Sequence, residues 1–164
     1  MEDRLLVTAF LLTRSETVFR QLYRKHSHSI FRIALQMVNK DIATAEDIVQ
    51  EAWLRAVDQL PHFRWQSSFR TWLSGIAINC AREALRKRSA WSEHVDLQYL
   101  PAQDERIDLQ GALAMLPKGY REVLLLHDME GYTHNEIAGI LDISEGTSKS
   151  QLFHARRAVK RMLN

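Results

Sequence analysis

A chain of 164 residues, 46% hydrophobic and 26% charged, is globular rather than disordered, and its length suits one ordinary domain or two small ones. Cys80 is the single cysteine, which excludes an internal disulfide and a cysteine-rich metal site and fits a reducing compartment. Net charge is only +2, but it falls in blocks: residues 64–88 carry Arg64, Arg70, Arg82, Arg86, Lys87 and Arg88 against Glu83 alone, residues 89–145 are strongly acidic, and residues 146–164 carry Lys149, Arg156, Arg157, Lys160 and Arg161 with no acid. Two basic blocks with an acidic block between them suggest two separate contacts with a polyanion.

The N-terminus, Met-Glu-Asp-Arg, is acidic where a signal peptide is basic, and the apolar run Leu5 to Leu12 lacks a small-residue cleavage site. No apolar run is long enough to span a membrane, so a cytoplasmic location is expected. Residues 1–14 read as an N-terminal extension with no assigned role. Three prolines, six glycines and no long alternating apolar runs predict an all-α fold.

In chain order, residues 17–38 carry Phe19, Leu22, Tyr23, Ile30, Phe31, Ala34, Leu35 and Val38 at helical spacing, with a break expected near Ser27-His28-Ser29. Lys40-Asp41 reads as a turn. Thr44 is the expected cap of the next helix, whose apolar stripe is Ile48, Val49, Ala52, Trp53, Ala56 and Val57 and whose end is Pro61. A loop over 61–69 follows, rich in aromatics and Arg. Trp72, Leu73, Ile76, Ala77, Cys80, Ala81, Ala84 and Leu85 then line one face of a helix running to about Arg88. From Ser89 the periodicity fades, and 89–107 reads as a flexible linker. Asp108 caps a short helix, Pro117 starts another, and Gly131 closes it. The expectation is two small helical domains, 15–88 and 108–164.

The last stretch is the most specific. Thr133-His134-Asn135-Glu136 is a capping box. Ile137, Ala138 and Leu141 share a face of a short helix. The chain breaks at Asp142-Ile143, and Ser144 caps a second helix with Leu152, Ala155, Val159 and Met162 at helical spacing. Two short helices joined by a tight turn form a helix-turn-helix, in which Ala138 permits close crossing and Ile143 fills the corner. The second helix is the one that enters a major groove. Its polar face carries Thr147, Lys149, Ser150, Gln151, His154, Arg156, Arg157, Lys160 and Arg161.

Two further constellations stand out. In the first, Phe63, Trp65, Phe69 and Trp72 interleave with Arg, a pattern suited to unpaired bases stacking on rings while cations follow the phosphates; Asn79 and Arg82 are within reach of base edges or backbone. Trp72 lies in the apolar stripe and reads as core, whereas Trp65 and Phe69 fit either role. In the second, Asp47, Gln50, Glu51, Leu54 and Arg55 mix acid, amide and apolar groups on one helix face, which fits a protein-docking surface or an ordinary solvated face. Enzyme activity finds no support: His26, His28, His62, His94, His127, His134 and His154 are scattered, Cys80 sits in an apolar stripe, and no metal or nucleophile motif occurs. No cofactor is expected. On these residues alone, an ordinary helix-turn-helix regulator with a sensing N-terminal half remains a rival.

Four stretches together resemble bacterial sigma factors of the extracytoplasmic-function kind: Ala45 to Trp53, Phe69 to Arg82, Leu116-Pro117 through Leu126, and Tyr132-Thr133 through Arg157. The resemblance implies a sigma-2 helical bundle and a sigma-4 helix-turn-helix domain that direct core RNA polymerase to promoters. It implies that Asp47, Gln50, Glu51, Leu54 and Arg55 dock on the polymerase β′ clamp helices, and that sigma-4 meets the β flap. It implies that the loop 61–69, with Phe63, Trp65 and Phe69, captures with Asn79 a flipped base of the melted minus-ten element, while Arg82, Arg86 and Lys87 hold backbone. Thr147, Lys149, Ser150, Gln151, His154, Arg156 and Arg157 fall on the helix that reads the minus-thirty-five duplex. It also implies an anti-sigma partner, in many relatives membrane-bound. Ser148 stands where an aliphatic residue is usual, Gln151 where Arg is usual and Asp142 where Gly is common, so the family's minus-thirty-five preference does not carry over in detail, and Ser148 and Gln151 are the positions at which to look for a distinctive one.

Overall fold

The computed structural model describes residues 1–92 and 108–164, with only the helical backbone of residues 91 and 92. Among these residues there are helices and turns and no strand. The chain divides into two compact units, Met1–Arg82 and Glu83–Asn164.

The first unit opens with a helix, α1 (Glu2–Thr13), in the stretch read above as an extension of no assigned role. Glu2 and Asp3 sit in its first turn, where acidic groups favour the helix dipole, and Arg14 ends it in a left-handed conformation. Val7 and Phe10 are buried. Ser15 caps α2 (Glu16–Met37) by accepting the Val18 N–H. The helix α2 is unbroken. Ser27, where a break was expected, stays helical and its hydroxyl accepts the Trp53 indole N–H at 2.8 Å. A hydroxyl with a partner across the core has no need to compete for its own backbone.

Asp41, not Thr44, caps α3 (Ile42–Gln59): its carboxylate accepts the Thr44 N–H at 3.2 Å and the Thr44 hydroxyl at 2.8 Å. Asp41→Ala should cost about 1 kcal/mol of stability by losing the cap, and Thr44→Ala should cost less. Urea unfolding of the two variants checks the order.

A 3-10 turn, Leu60–His62, ends α3 and packs on α1. The helix α4 (Phe69–Ser92) begins under Ser68, whose hydroxyl accepts the Thr71 N–H at 3.1 Å. It runs four residues past the expected end, so residues 89–92 of the expected linker are helical; 93–107 lie outside the described residues.

Aromatic rings organise this unit. Phe10 meets Phe19 at 5.7 Å, Phe19 meets Trp53 edge-on at 5.4 Å, and Phe69 lies beside both Trp53 and the buried His26. The His26 imidazole lies 3.1 Å from an Asp3 carboxylate oxygen, and Lys25 bridges Glu2 and Asp3, which ties α1 to α2. Burial pushes His26 below its usual 6.5, against the Asp3 contact that raises it, with Lys25 and Arg70 adding to the depression. Asp3 is itself held below the usual carboxylate range: burial raises it, but hydrogen bonds from Lys25 and His26 outweigh that.

The sign for His26 follows from linkage. As pH falls through the mid-six range, the unfolded chain binds the proton first, so the fold loses stability in that window. Thermal unfolding at about pH 7.5 and about pH 5.5 should show a larger drop for the wild type than for His26→Gln.

The second unit is built around α8 (Glu145–Leu163), which packs against α5 (Leu109–Met115), α6 (Lys118–Leu124) and α7 (His134–Leu141). Asp108 caps α5 by accepting the Gly111 N–H at 2.7 Å, as its position in the sequence predicts. The far end of α5 is closed by a cation: Arg121 donates to the carbonyls of Ala114 and Leu116. After α6 the chain widens into a π turn, Leu125–Met129, and Gly131 turns it at φ +74, a conformation that favours glycine. Leu113, Leu116, Val123, Leu126, Tyr132, Ile137, Leu152 and Ala155 form the core.

Candidate nucleic-acid and polymerase interfaces

The helix-turn-helix forms as its caps predict. The Thr133 hydroxyl accepts the Glu136 N–H at 3.2 Å, and Glu136 accepts the Thr133 N–H at 2.8 Å. Asp142 ends α7 in a left-handed conformation, φ 55, one that Asp tolerates better than most residues. Ser144 then caps α8 by accepting the Thr147 N–H at 3.0 Å.

On α8, Thr147, Lys149, Ser150, His154, Arg156, Arg157, Lys160 and Arg161 are exposed. Gln151 is not: it is half-buried, and its amide lies so close to Gly119 of α6 that a Cβ there would come within 2.9 Å of it. Ser148 is fully buried, and its hydroxyl lies 2.8 Å from the His134 ring nitrogen of α7. Both residues, the positions at which a distinctive duplex preference was to be sought, lie on the side of α8 that its crossing over α6 and α7 turns inward, Ser148 fully and Gln151 in part.

Arg156 is fixed in place. Its Nε and Nη2 donate to the two Asp128 oxygens at 2.9 and 2.6 Å. The guanidinium holds Asp128 below the usual carboxylate range, and Asp128 in turn raises Arg156. His127 hydrogen-bonds Asp128 at 2.8 Å and stacks on His134 at 4.6 Å. Sequence reasoning missed Asp128, which lies 28 residues away and outside the recognised motif. It also missed Phe153, a ring 58% exposed among the cations, with the Arg157 guanidinium 5.9 Å from its centroid. An aromatic beside Lys149, Arg156 and Arg157 breaks the polar pattern of that face, and that was the available signal.

In the first unit, Phe63, Trp65 and Trp72 form an outer aromatic cluster. Phe63 stacks on Trp72 at 4.6 Å and meets Trp65 at 4.7 Å, and all three are half-buried. Phe69 is withdrawn from it: at 1% exposure it fills the core between His26, Trp53 and Trp72. Of the two roles open to Phe69 the structure gives it the core, and Trp72, expected in the core, is only half-buried. Phe69 opens α4 directly below the Ser68 cap and points into the unit, while Trp72, one turn on, lies at the rim. Asn79 follows Trp72 by two helical turns on the same face and is exposed, and Arg82, the last residue of this unit, is half-exposed; Arg86 and Lys87, farther along α4 and outside this unit, are exposed.

On α3, Asp47, Gln50, Glu51 and Leu54 share one exposed face at i, i+3, i+4 and i+7. Leu54 is 66% exposed, an apolar side chain amid acids and amides. Arg55 is half-buried and donates to Glu51 at 2.7 Å.

Residues 22–90 match Sigma-70 region 2, and residues 106–159 match Sigma-70, region 4. The ECF RNA polymerase sigma factor SigM of Mycobacterium tuberculosis is 30% identical over 88% of this chain and 76% of its own length. The chain belongs to the sigma-70 family. It is a sigma factor of the extracytoplasmic-function kind, which directs core RNA polymerase to promoters. The ECF RNA polymerase sigma-E factor of Escherichia coli is 27% identical over 88% of this sigma factor and 85% of its own length. Among solved structures, the sigma factor RpoE of Bartonella quintana, in complex with the anti-sigma factor NepR, matches with a TM-score of 0.74 at 26% identity, over 88% of this chain and 96% of its own. Among the described residues no helix is long and apolar enough to cross a membrane, and no cluster of three or more His, Cys, Asp or Glu could hold a metal.

Proposed function

We propose a division of labour between the two units of this sigma factor. The first docks on the β′ clamp helices of core polymerase through Asp47, Gln50, Glu51, Leu54 and Arg55, and opens the minus-ten element. The second reads the minus-thirty-five duplex through α8 and meets the β flap. One observation carries the minus-ten assignment: Phe63, Trp65 and Trp72 form a half-exposed aromatic cluster at one end of a helix face that continues as Asn79, Arg82 and Arg86. Rings for an unpaired base, an amide for its edge and cations for its backbone lie in one row. Phe69 stays in the core and Gln151 stays against α6; neither is given a DNA contact.

Extracting a base costs a few kcal/mol, and stacking of about 1–3 kcal/mol per base together with backbone contacts offsets this. The chain needs no catalytic group, metal or cofactor for this role, and acts where core polymerase is, in the cytoplasm. The RpoE–NepR complex supports a further partner: an anti-sigma factor that covers these surfaces when the sigma factor is silent.

The test is transcription in vitro with core enzyme, followed by start-site mapping, beside gel shifts with and without core. The expected result is site-specific binding and initiation only with core. Strong, site-specific duplex binding by the chain alone would overturn the reading in favour of an ordinary helix-turn-helix regulator.

A further inference from the structure

The helix α1 lies before the segment that matches region 2, which begins at residue 22, and nothing above gives it a part in promoter binding. It is nonetheless firmly attached. Asp3 contacts Lys25 at 2.7 Å and His26 at 3.1 Å, Glu2 contacts Lys25 at 2.7 Å, and Phe10 packs on Phe19. Arg4 follows directly. Its guanidinium carbon lies 5.6 Å from the centroid of the Trp65 ring, within the range of a cation–π contact.

Trp65 is an unusual residue to find at that position. Its φ is 57, the left-handed region that a bulky aromatic adopts at a cost, so its surroundings must hold it there. Phe63 touches the ring from within the same loop, and the 3-10 turn that leads into the loop rests on α1. Arg4 is the contact that comes from a separate, anchored helix. It therefore holds the ring from the α1 side, opposite in origin to Phe63, which is itself stacked on Trp72 of α4 at 4.6 Å.

We propose that Arg4 is a positioning residue for promoter opening, holding the Trp65 indole in the pose that receives the unpaired base. The inference rests on the minus-ten reading of the loop. A ring already ordered by Arg4 loses less freedom when the base stacks on it, so the benefit is read in the opening step. Attachment to core through α3 and duplex contacts through α8 do not depend on it.

The experiment measures open-complex formation by holoenzyme, from the permanganate reactivity of the bubble, for Arg4→Ala, Arg4→Gln, Arg4→Lys, Trp65→Ala and the Arg4→Ala/Trp65→Ala pair. Loss of one exposed cation–π contact should lower opening about two- to fivefold in Arg4→Ala and Arg4→Gln. Arg4→Lys, which keeps the cation, should recover most of it. The paired variant should open no worse than Trp65→Ala alone, because Arg4 acts through that ring. Arg4→Gln equal to the wild type, or an Arg4→Ala loss that persists in full without Trp65, overturns the inference. If Trp65→Ala itself opens normally, the minus-ten reading of the loop fails, and this inference fails with it. Gln keeps the helix preference and the first part of the aliphatic stem of Arg without its charge, so a defect limited to Arg4→Ala would mark disrupted α1 packing and also count against it.

Discussion

Holoenzyme carrying Trp65→Ala and Asn79→Ala should bind its promoter as a closed complex and fail to open it. Trp65 stands beside Phe63 in a half-buried ring cluster in which Phe63 and Trp72 are stacked at 4.6 Å. Removing it takes away a stacking surface for one base, worth about 1–3 kcal/mol. Asn79 is exposed on α4 two turns beyond Trp72, and its amide offers both a donor and an acceptor to a base edge. Together the changes should lower open-complex formation by about ten- to a hundredfold. Neither residue belongs to the α3 face proposed for core docking, so the affinity for core should be unchanged. Both side chains are at least partly solvent-exposed, so the fold should survive. Permanganate footprinting reads the bubble and a competition assay reads core binding. An undiminished bubble would remove the basis for assigning the loop to the minus-ten element, and a parallel loss of core binding would show that the loop serves attachment instead.

What the sequence disclosed and what it hid follow from how local each signal is. The caps at Asp108, Thr133 and Ser144 are decided within three residues, and all three form. The cap of α3 falls three residues before its expected place: Thr44 was expected, but Asp41, read only as part of a turn, takes the role and Thr44 becomes the residue it caps. The helix α1 was illegible for a different reason. Leu5, Leu6, Val7, Phe10, Leu11 and Leu12 are apolar nearly all round, so no stripe stands out, though only Val7 and Phe10 are buried. Its anchors, Lys25 and His26, lie more than twenty residues away.

The two sites show the same division. The exposed faces of α3 and α8 could be drawn from helical spacing. Whether Phe69 or Trp72 enters the core depends on where α4 meets α2 and α3, and whether Ser148 and Gln151 face solvent depends on how α8 crosses its neighbours. Ser148 illustrates the consequence. A hydroxyl where an aliphatic residue is usual draws attention to the duplex, yet it is the partner of His134 inside the unit. Any effect of Ser148 on promoter preference is therefore indirect, through the seating of α7 on α8.

Lys149→Ala combined with Arg156→Ala should weaken binding to the minus-thirty-five element while leaving core binding intact. Lys149 lies in the second turn of α8 and is exposed, which suits a phosphate contact by a mobile point charge. Arg156 is different. Asp128 holds its Nε and Nη2 edge, so the guanidinium plane is oriented before DNA arrives and its remaining N–H groups are left to meet the groove. Without these two cations, affinity should fall about ten- to a hundredfold. With fewer phosphates neutralised, fewer counterions are released on binding, so the dependence of log K on log salt should also flatten by about 1–2. Arg156→Lys should behave much like Arg156→Ala, since an ammonium lacks the planar fork that Asp128 grips and cannot hold the same orientation. Binding of a minus-thirty-five duplex to holoenzyme, followed across salt concentrations, measures all three variants. If Arg156→Lys retained full affinity, orientation by Asp128 would be irrelevant and charge alone would suffice; if the double variant lost core binding equally, α8 would belong to the polymerase interface rather than to DNA.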